Sequence, residues 1–222
     1  MDFALSEEQR LIYQTAKDFA DNEIAPRALD WEKEEEIPRT LFTAAGRLGL
    51  ASIYVPEEDG GMGLSRLDAT LIFEALALAC PSVSSFISIH NMCAAMIATN
   101  GTPEQKKELL PDLIRMEKVC SYCLTEPGSG SDAAALKTRA KRTNLGYKLH
   151  GTKAFTSGGG FSDLYLVMAR TGSDGPRGIS TFLIKNDSDG LSYGKKEQKM
   201  GWKAQPTAQL QFDGCFVPSN YI

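Results

Sequence analysis

Apolar residues in the first half of the chain recur every three or four positions, the spacing of a helix with one buried face. Ile12, Ala16 and Phe19 form such a stripe after Ser6, and a glutamine three residues beyond Ser6 completes a capping-box pattern. Pro26 is expected to end or kink this first helix. The same spacing predicts four further helices, over residues 38–49, 67–79, 85–99 and 102–116. The middle two of these four are apolar on most faces, so we expect them at the centre of a helical bundle.

From residue 119 onward the apolar pattern has a period of two, which is typical of strands. Residues 144–146 and 171–176 have the composition of turns. The pattern predicts strands over residues 119–125, 137–143, 147–157, 164–170, 179–184 and 208–212. Because no helical segments separate these strands, we predict an α+β protein. An N-terminal all-α helical bundle (residues 1–118) is followed by an antiparallel β-barrel or β-sandwich domain (residues 119–222).

Composition narrows the class of protein. The 222 residues are 42% hydrophobic and 23% charged with a net charge of −4, and no block of like charge suggests nucleic acid or a polybasic membrane patch. The odd number of cysteines, five, argues against a disulfide framework and for a reducing compartment. The N-terminus has no signal pattern. The apolar segments 71–80 and 86–98 are expected to be too short or too interrupted to span a bilayer.

A loop rich in glycine and serine follows the first predicted strand. Its glycines allow a ligand to approach backbone N–H groups closely, and successive N–H groups can form a concavity that binds an anion. The loop does not match the dinucleotide pattern G-x-G-x-x-G, and no βαβ unit follows it. From the residues alone, a phosphate-binding loop and a tight turn between strands both remain open. The segment reads Tyr122-Cys123-Leu124-Thr125-Glu126-Pro127-Gly128-Ser129-Gly130-Ser131-Asp132.

A second candidate segment lies at the end of the strand predicted over residues 147–157. Phe155, Thr156 and Ser157 precede three consecutive glycines. A flat ring beside hydroxyl groups suits a planar heteroaromatic cofactor. A glycine-rich turn with a core phenylalanine is the alternative that the residues leave open.

Other candidates are interpreted as structural. The polar pair at positions 90–91 lies in an apolar helix, so it must be hydrogen-bonded or face a cavity. Cys93 follows three residues after His90, but the chain has only two histidines, and we expect no metal site. Cys120 and Cys123 point to opposite faces of a strand and are expected to pack in the interior. Glu126 could cap the glycine loop, but its position does not identify a general base.

Together these motifs resemble the acyl-CoA dehydrogenases. Segments 122–132 and 155–157 look like the two flavin-contacting segments of that family, with the same spacing and the same order of helical half and β half. The resemblance extends over all 222 residues. Finer features resemble the isobutyryl-CoA branch, although a related short, branched-chain dehydrogenase remains open. They are residues 87–93, 122–124 and 201–207, and Phe155 where many relatives have tryptophan.

The resemblance implies FAD as the cofactor and assigns roles to single residues. Leu124 and Thr125 would line the flavin beside Tyr122, with Thr125 bonding the polar edge of the ring. Ser131 would contact a flavin phosphate or the acyl-CoA substrate. Phe155 would pack against the isoalloxazine, and Ser157 would direct its hydroxyl near the reactive flavin nitrogen. The full expected set is Tyr122, Cys123, Leu124, Thr125, Gly128, Ser129, Gly130, Ser131, Phe155, Thr156 and Ser157.

The activity that the resemblance implies is FAD-dependent α,β-dehydrogenation of a short branched-chain acyl-CoA such as isobutyryl-CoA, a step of valine degradation. A carboxylate base removes the α proton, the β hydride passes to flavin, and an electron-transferring flavoprotein accepts the electrons. Family members are homotetramers with a third, C-terminal helical domain that carries this base. The sequence stops in a loop before that domain, so we expect a truncated chain that is inactive alone, has an exposed apolar patch and contains no catalytic residue.

Two further expectations follow from the resemblance. The compartment is the mitochondrial matrix or a bacterial cytoplasm, with neither secretion nor a membrane location. The alternative function is a non-catalytic fragment or paralogue that binds flavin or acyl-CoA.

Overall fold

The computed structural model describes residues 4–222, and most of the first half is helical. Three helices begin with complete capping boxes, in which the N-cap side chain and the third helical residue exchange hydrogen bonds. The N-caps are Ser6, Ser65 and Thr102. The helices are α1 (Glu7–Phe19), α2 (Ala28–Glu34), α3 (Arg39–Arg47), α4 (Arg66–Ala79), α5 (Pro81–Asn100) and α6 (Pro103–Ile114).

The first helical run ends just before Pro26, in agreement with the prediction that this proline ends or kinks the helix. A π-helical turn (Ala20–Ile24) continues α1, and α2 then begins after Arg27. The helix α2 was not predicted. Trp31 is the one buried side chain of α2, so this helix has no repeated apolar spacing from which it could have been predicted.

The helix α5 is the core of the helical half, as its apolar faces predicted. It begins at Pro81, whose missing N–H costs nothing at the first helical position, and it is therefore longer than expected. Among the described residues it is the one helix long and apolar enough to cross a bilayer, so the expectation that this segment is too short was wrong. Of its most apolar stretch, 61% is buried inside the structure. Phe86 packs against Phe42 of α3 with ring centroids 5.0 Å apart.

The second half is a curled sheet of seven strands. The first five agree closely with the predicted segments, but β6 was not predicted and β7 is much longer than expected. The strands are β1 (Cys120–Cys123), β2 (Arg139–Arg142), β3 (Gly146–Ser157), β4 (Leu164–Arg170), β5 (Ile179–Lys185), β6 (Leu191–Tyr193) and β7 (Thr207–Pro218). Their order is β1-β4-β2-β3-β7-β6, and β5 pairs with β4.

The fold class is confirmed, with one correction to the pairing. Four ladders are antiparallel, including the two predicted hairpins β2–β3 and β4–β5. However, β1 pairs parallel with β4, and β2 touches β4 in parallel at one residue pair. The expected all-antiparallel sheet is therefore wrong at these two places. Alternation specifies which face a side chain occupies but not the direction of a neighbouring strand.

The described chain forms two compact units. The helical unit ends at Glu117 and also contains Lys199–Gln205, while the β unit consists of Lys118–Gln198 and Pro206–Ile222. Within the helical unit, the Glu32 carboxylate accepts hydrogen bonds from the Ser82 hydroxyl and from the backbone N–H groups of Lys203 and Ala204. These bonds hold the segment 199–205 against the helices.

The surface of the helical unit retains large apolar side chains. Leu11 is 69% exposed, Leu29 76% and Leu78 67%. Single exposed apolar residues are normal on a protein surface, and the expected apolar patch stays a prediction.

Candidate functional site

The two candidate segments lie side by side in the β unit. The backbone N–H of Ala154 donates to the carbonyl of Thr125 over 2.7 Å. One residue earlier, the Lys153 ammonium donates to the carbonyl of Leu124 over 3.0 Å. The Ser121 hydroxyl donates to the carbonyl of Ser157. The exit of β1 and the end of β3 are therefore joined by direct hydrogen bonds, although the two strands are not ladder partners.

A β-bulge in β3 shapes this junction. Between the pairs Lys153–Leu210 and Thr156–Ala208, β3 has two residues where β7 has one. The bulge leaves the Ala154 N–H free to bond Thr125 instead of β7. Phe155 adopts a left-handed backbone with φ 54°, and the residue is 67% exposed. A non-glycine residue rarely adopts this conformation, and such strain is typical of functional sites.

The side chains at the end of β1 and just after it differ in exposure. Tyr122 is half-buried, as are Leu124 and Thr125, whereas Cys123 is buried. On the neighbouring segment, Ser157 is half-buried. The partly exposed residues are available to a ligand through their side chains. Cys123 could contact one only through its backbone.

The glycine–serine loop closes on itself. Glu126 and Ser129 exchange backbone hydrogen bonds of 2.9 and 3.1 Å, and the Ser129 hydroxyl donates to the carbonyl of Asp132. The Ser129 hydroxyl is thus engaged in the turn, whereas Ser131 is exposed. Of the two serines, Ser131 is the one whose hydroxyl can reach a ligand.

The glycines of the two segments are present for different structural reasons. A Cβ added at Gly128 or Gly130 would meet no atom within 4 Å, and neither residue has a positive φ. By contrast, Gly158 and Gly160 have φ near 80°, and a Cβ at Gly159 would approach Ala208 within 3.0 Å. The fold therefore explains the three consecutive glycines, but it leaves open space beside Gly128 and Gly130. A ligand that approaches the loop backbone closely fits that space.

A buried ion pair lies beneath the junction. The Lys153 ammonium is fully buried, and it bonds the Glu126 carboxylate over 2.8 Å. The same carboxylate accepts the backbone N–H groups of Lys137 and Thr138 over 2.6 and 2.8 Å. Burial raises the pKa of the Glu126 carboxyl, but these hydrogen bonds outweigh burial and hold the pKa below its ordinary value. Glu126 is therefore a charged structural acceptor.

Sequence reasoning missed Lys153. It lies at a position of β3 that shares the inward face with Leu149, four residues earlier. A lysine in an inward position is almost never buried without a partner, and that is the signal that could have identified the pair.

Buried hydroxyl groups hold the turn at Gly158–Gly160 by hydrogen bonds. The Tyr165 hydroxyl donates to the carbonyl of Gly158 and accepts from the N–H of Gly160, each over 3.1 Å. The hydroxyls of Ser121 and Ser162 are 2.6 Å apart. This network holds the turn that follows Ser157 in one conformation.

The Thr156 side chain faces the interior, unlike its neighbours. It is 2% exposed, and its hydroxyl has no hydrogen-bond partner within residues 4–222. Its contribution to a ligand site is therefore limited to its backbone. Thr156→Val has nearly the same shape and removes the unpaired hydroxyl, so we expect a gain of about 1 kcal/mol in the free energy of unfolding. Urea denaturation would measure it against Thr152→Val on the same strand, and a loss above 1 kcal/mol would contradict the assignment.

The remaining candidates, His90, Asn91, Cys120 and Cys123, are buried. His90 is fully buried, and its Nε2 lies 2.9 Å from the carbonyl of Leu113. Asn91 is bonded to three backbone groups. Cys120 and Cys123 are both buried and neither is in a disulfide. No group of three or more potential metal ligands occurs in the part of the chain that the structure describes.

Comparison with known proteins places this chain in a family. Residues 6–117 match the model of the acyl-CoA dehydrogenase N-terminal domain, and residues 121–215 match that of the middle domain. The chain is 55% identical over 215 residues to a mitochondrial isobutyryl-CoA dehydrogenase of Dictyostelium discoideum, and 51% identical over 214 residues to that of Bos taurus. Each alignment covers 96% of this chain but only 52% and 51% of the relatives.

A solved structure supports the same relationship. The chain superposes with a TM-score of 0.91 and 27% identity on a glutaryl-CoA dehydrogenase from Mycobacterium smegmatis in complex with FADH2. The alignment covers 98% of this chain and 55% of the glutaryl-CoA dehydrogenase chain. The chain thus spans about half the length of the relatives that it matches. The expected resemblance is confirmed, including its isobutyryl-CoA branch. This chain belongs to the acyl-CoA dehydrogenase family.

Proposed function

We propose that this chain forms the flavin site of an FAD-dependent enzyme that dehydrogenates a short branched-chain acyl-CoA, with isobutyryl-CoA as the substrate. The observation that carries the proposal is the junction of the two segments, joined by the Ala154–Thr125 hydrogen bond. The two most similar relatives reported above carry the name isobutyryl-CoA dehydrogenase, and a structural neighbour holds a reduced flavin. The family, the bulge and the open space at the loop glycines all favour a flat, phosphorylated ligand.

Different residues of the site would contact different parts of the flavin. The exposed Phe155 ring and the half-buried Tyr122 supply aromatic surface to the isoalloxazine, and Leu124 adds an apolar contact. The Thr125 and Ser157 hydroxyls donate to the polar edge of the ring. Backbone groups of Cys123 and Thr156 face the same junction. The flavin, when bound, supplies the acceptor for the substrate hydride.

The loop serves the phosphates and the substrate. Gly128 and Gly130 leave its backbone open to close approach, Ser129 keeps the turn closed, and Ser131 presents its hydroxyl to a flavin phosphate or the acyl-CoA. A bound flavin would supply the acceptor for the β hydride, and formation of the α,β-unsaturated thioester would also require a carboxylate base for the α proton. We assign no residue of this chain as the base; Glu126 is buried and already accepts three hydrogen bonds.

The whole protein's partners are part of the same proposal. Electrons would pass from the reduced flavin to an electron-transferring flavoprotein, and the enzyme would be a homotetramer. The mitochondrial relatives favour the matrix as the compartment, with a bacterial cytoplasm as the alternative.

The direct test is a titration of the purified 222-residue chain with FAD, followed by quenching of flavin fluorescence. Saturable quenching, and a yellow protein on purification, would support the flavin site. A colourless protein that leaves FAD fluorescence unchanged would refute it. The second candidate function, a flavin or acyl-CoA binder without turnover, is tested by an activity assay. Oxidation of isobutyryl-CoA with an artificial electron acceptor would exclude that candidate.

Gly130→Ala tests the open space at the loop. The added methyl meets no protein atom, so we expect no loss of stability, but it occupies the space into which a ligand must come. FAD affinity should fall about tenfold, equivalent to about 1.4 kcal/mol. Gly201→Ala is the matched control, because a methyl there also meets open space and Gly201 lies in the other unit. Equal FAD affinity in both variants would contradict the role of Gly130.

A further inference from the structure

The buried pair Glu126–Lys153 connects three backbone segments of the proposed flavin site. Lys153 immediately precedes the bulge that exposes Phe155. Its ammonium holds the carbonyl of Leu124 and the carboxylate of Glu126, so one side chain joins the end of β3 to the exit of β1.

The carboxylate of Glu126 performs the same task for the glycine–serine loop. The loop begins at Glu126 and ends at Lys137 and Thr138, whose backbone N–H groups both donate to that carboxylate. The first residue of the loop therefore closes it. The position of Ser131, midway along the loop, depends on this closure.

We propose that Glu126 and Lys153 are positioning residues that set the spacing between the aromatic wall at Phe155, the residues after β1 and the phosphate-facing loop. This inference rests on the proposed flavin function. Neither side chain contacts the ligand itself, because Lys153 is 0% exposed and Glu126 7%. Burial of an ammonium group is energetically unfavourable, and an apolar pair of similar volume would carry a smaller desolvation penalty. The geometry that the pair imposes on three backbone segments is the reason for its presence.

The experiment compares three variants with the wild-type chain: Glu126→Gln, Lys153→Met and the double variant. Removal of one partner leaves an unpaired buried charge or polar group, whereas the double variant removes both charges and should recover part of the lost stability. It does not restore the tether to Leu124 or the complete closure of the loop. We therefore expect FAD to bind all three variants at least tenfold more weakly than the wild type.

Phe182→Leu is the control for stability alone. Phe182 is fully buried in β5, outside both segments, so the variant loses core packing without a change at the junction. All proteins are titrated with FAD at a temperature at which each is folded by circular dichroism. The control should bind FAD as the wild type does. At saturating FAD, the double variant should show an altered visible circular dichroism band of the bound flavin, and the control should not.

Three results would be decisive against a proposal. A wild-type chain that binds no FAD overturns the flavin function itself. A wild type that binds FAD while the double variant binds it equally well, with the same flavin band, overturns the positioning role alone. A loss of affinity in Phe182→Leu as large as in the double variant would show that only stability is at work, and it would also overturn the positioning role. If the single variants do not fold, the double variant gives the decision.

Discussion

Lys153→Met is expected to lower the free energy of unfolding by about 3–5 kcal/mol, the cost of removing one partner from a buried ion pair. The methionine nearly matches the lysine in volume, so the loss reflects charge and hydrogen bonding and not a cavity. Glu126 would keep its two backbone donors but lose the ammonium, inside a site that is 7% exposed. Urea denaturation followed by far-ultraviolet circular dichroism measures the change.

Lys148→Met is the matched control, on the same strand but exposed. It should change the free energy of unfolding by no more than about 0.5 kcal/mol. A loss below 1 kcal/mol in Lys153→Met would show that the pair contributes no more than a surface ion pair does.

The loss of unfolding free energy in Lys153→Met should also depend on pH in a defined direction. In the wild type, the Glu126 pKa lies below its ordinary value, so its contribution to stability is present above the unfolded pKa and is lost as pH falls through the folded pKa. Without Lys153, the carboxylate loses a hydrogen bond that counteracts the effect of burial, and the pKa of Glu126 rises. Protonation then relieves the unpaired charge, so the deficit of Lys153→Met should shrink from pH 8 to pH 5. A deficit that is constant over this range would contradict the charge argument.

Asn91→Ala is expected to cost about 2–5 kcal/mol in the helical unit. Asn91 is fully buried; its carbonyl accepts the N–H of Ile53 over 2.7 Å, and its amide donates to the carbonyls of Leu50 and Ile87. Alanine leaves the groups of Leu50 and Ile53 unpaired in the interior, at about 1–3 kcal/mol each, and adds a cavity.

Asn100→Ala is the control for this variant. Asn100 is the last residue of the same helix, is exposed, and bonds only one carbonyl of its own helix. It should lie within about 0.5 kcal/mol of the wild type. Asn91→Asp keeps the acceptor but replaces the donor by a buried charge, so it should destabilise as well. A fully stable Asn91→Asp would contradict the assigned amide orientation. Urea denaturation followed by fluorescence of the buried Trp31 reports on this unit.

Local features of the sequence determined the elements. The capping boxes at Ser6, Ser65 and Thr102 fixed three helix starts because a cap satisfies backbone N–H groups within four residues. The apolar runs on either side of the turn at residues 171–176 predicted β4 and β5 almost to the residue, since a short apolar run bounded by turn residues is typical of a buried strand. The family resemblance identified both segments of the candidate site.

The sequence did not determine contacts between residues far apart in the chain. The parallel pairing of β1 with β4, the bulge that exposes Phe155, and the pairing of Lys153 with Glu126 each need a partner 27 or more residues away. Alternation placed Lys153 on the inward face, but only the tertiary structure supplied the carboxylate that makes its burial tolerable. Local hydrogen bonding therefore decided which elements form, whereas long-range packing and the cost of burying charge decided how the site is assembled.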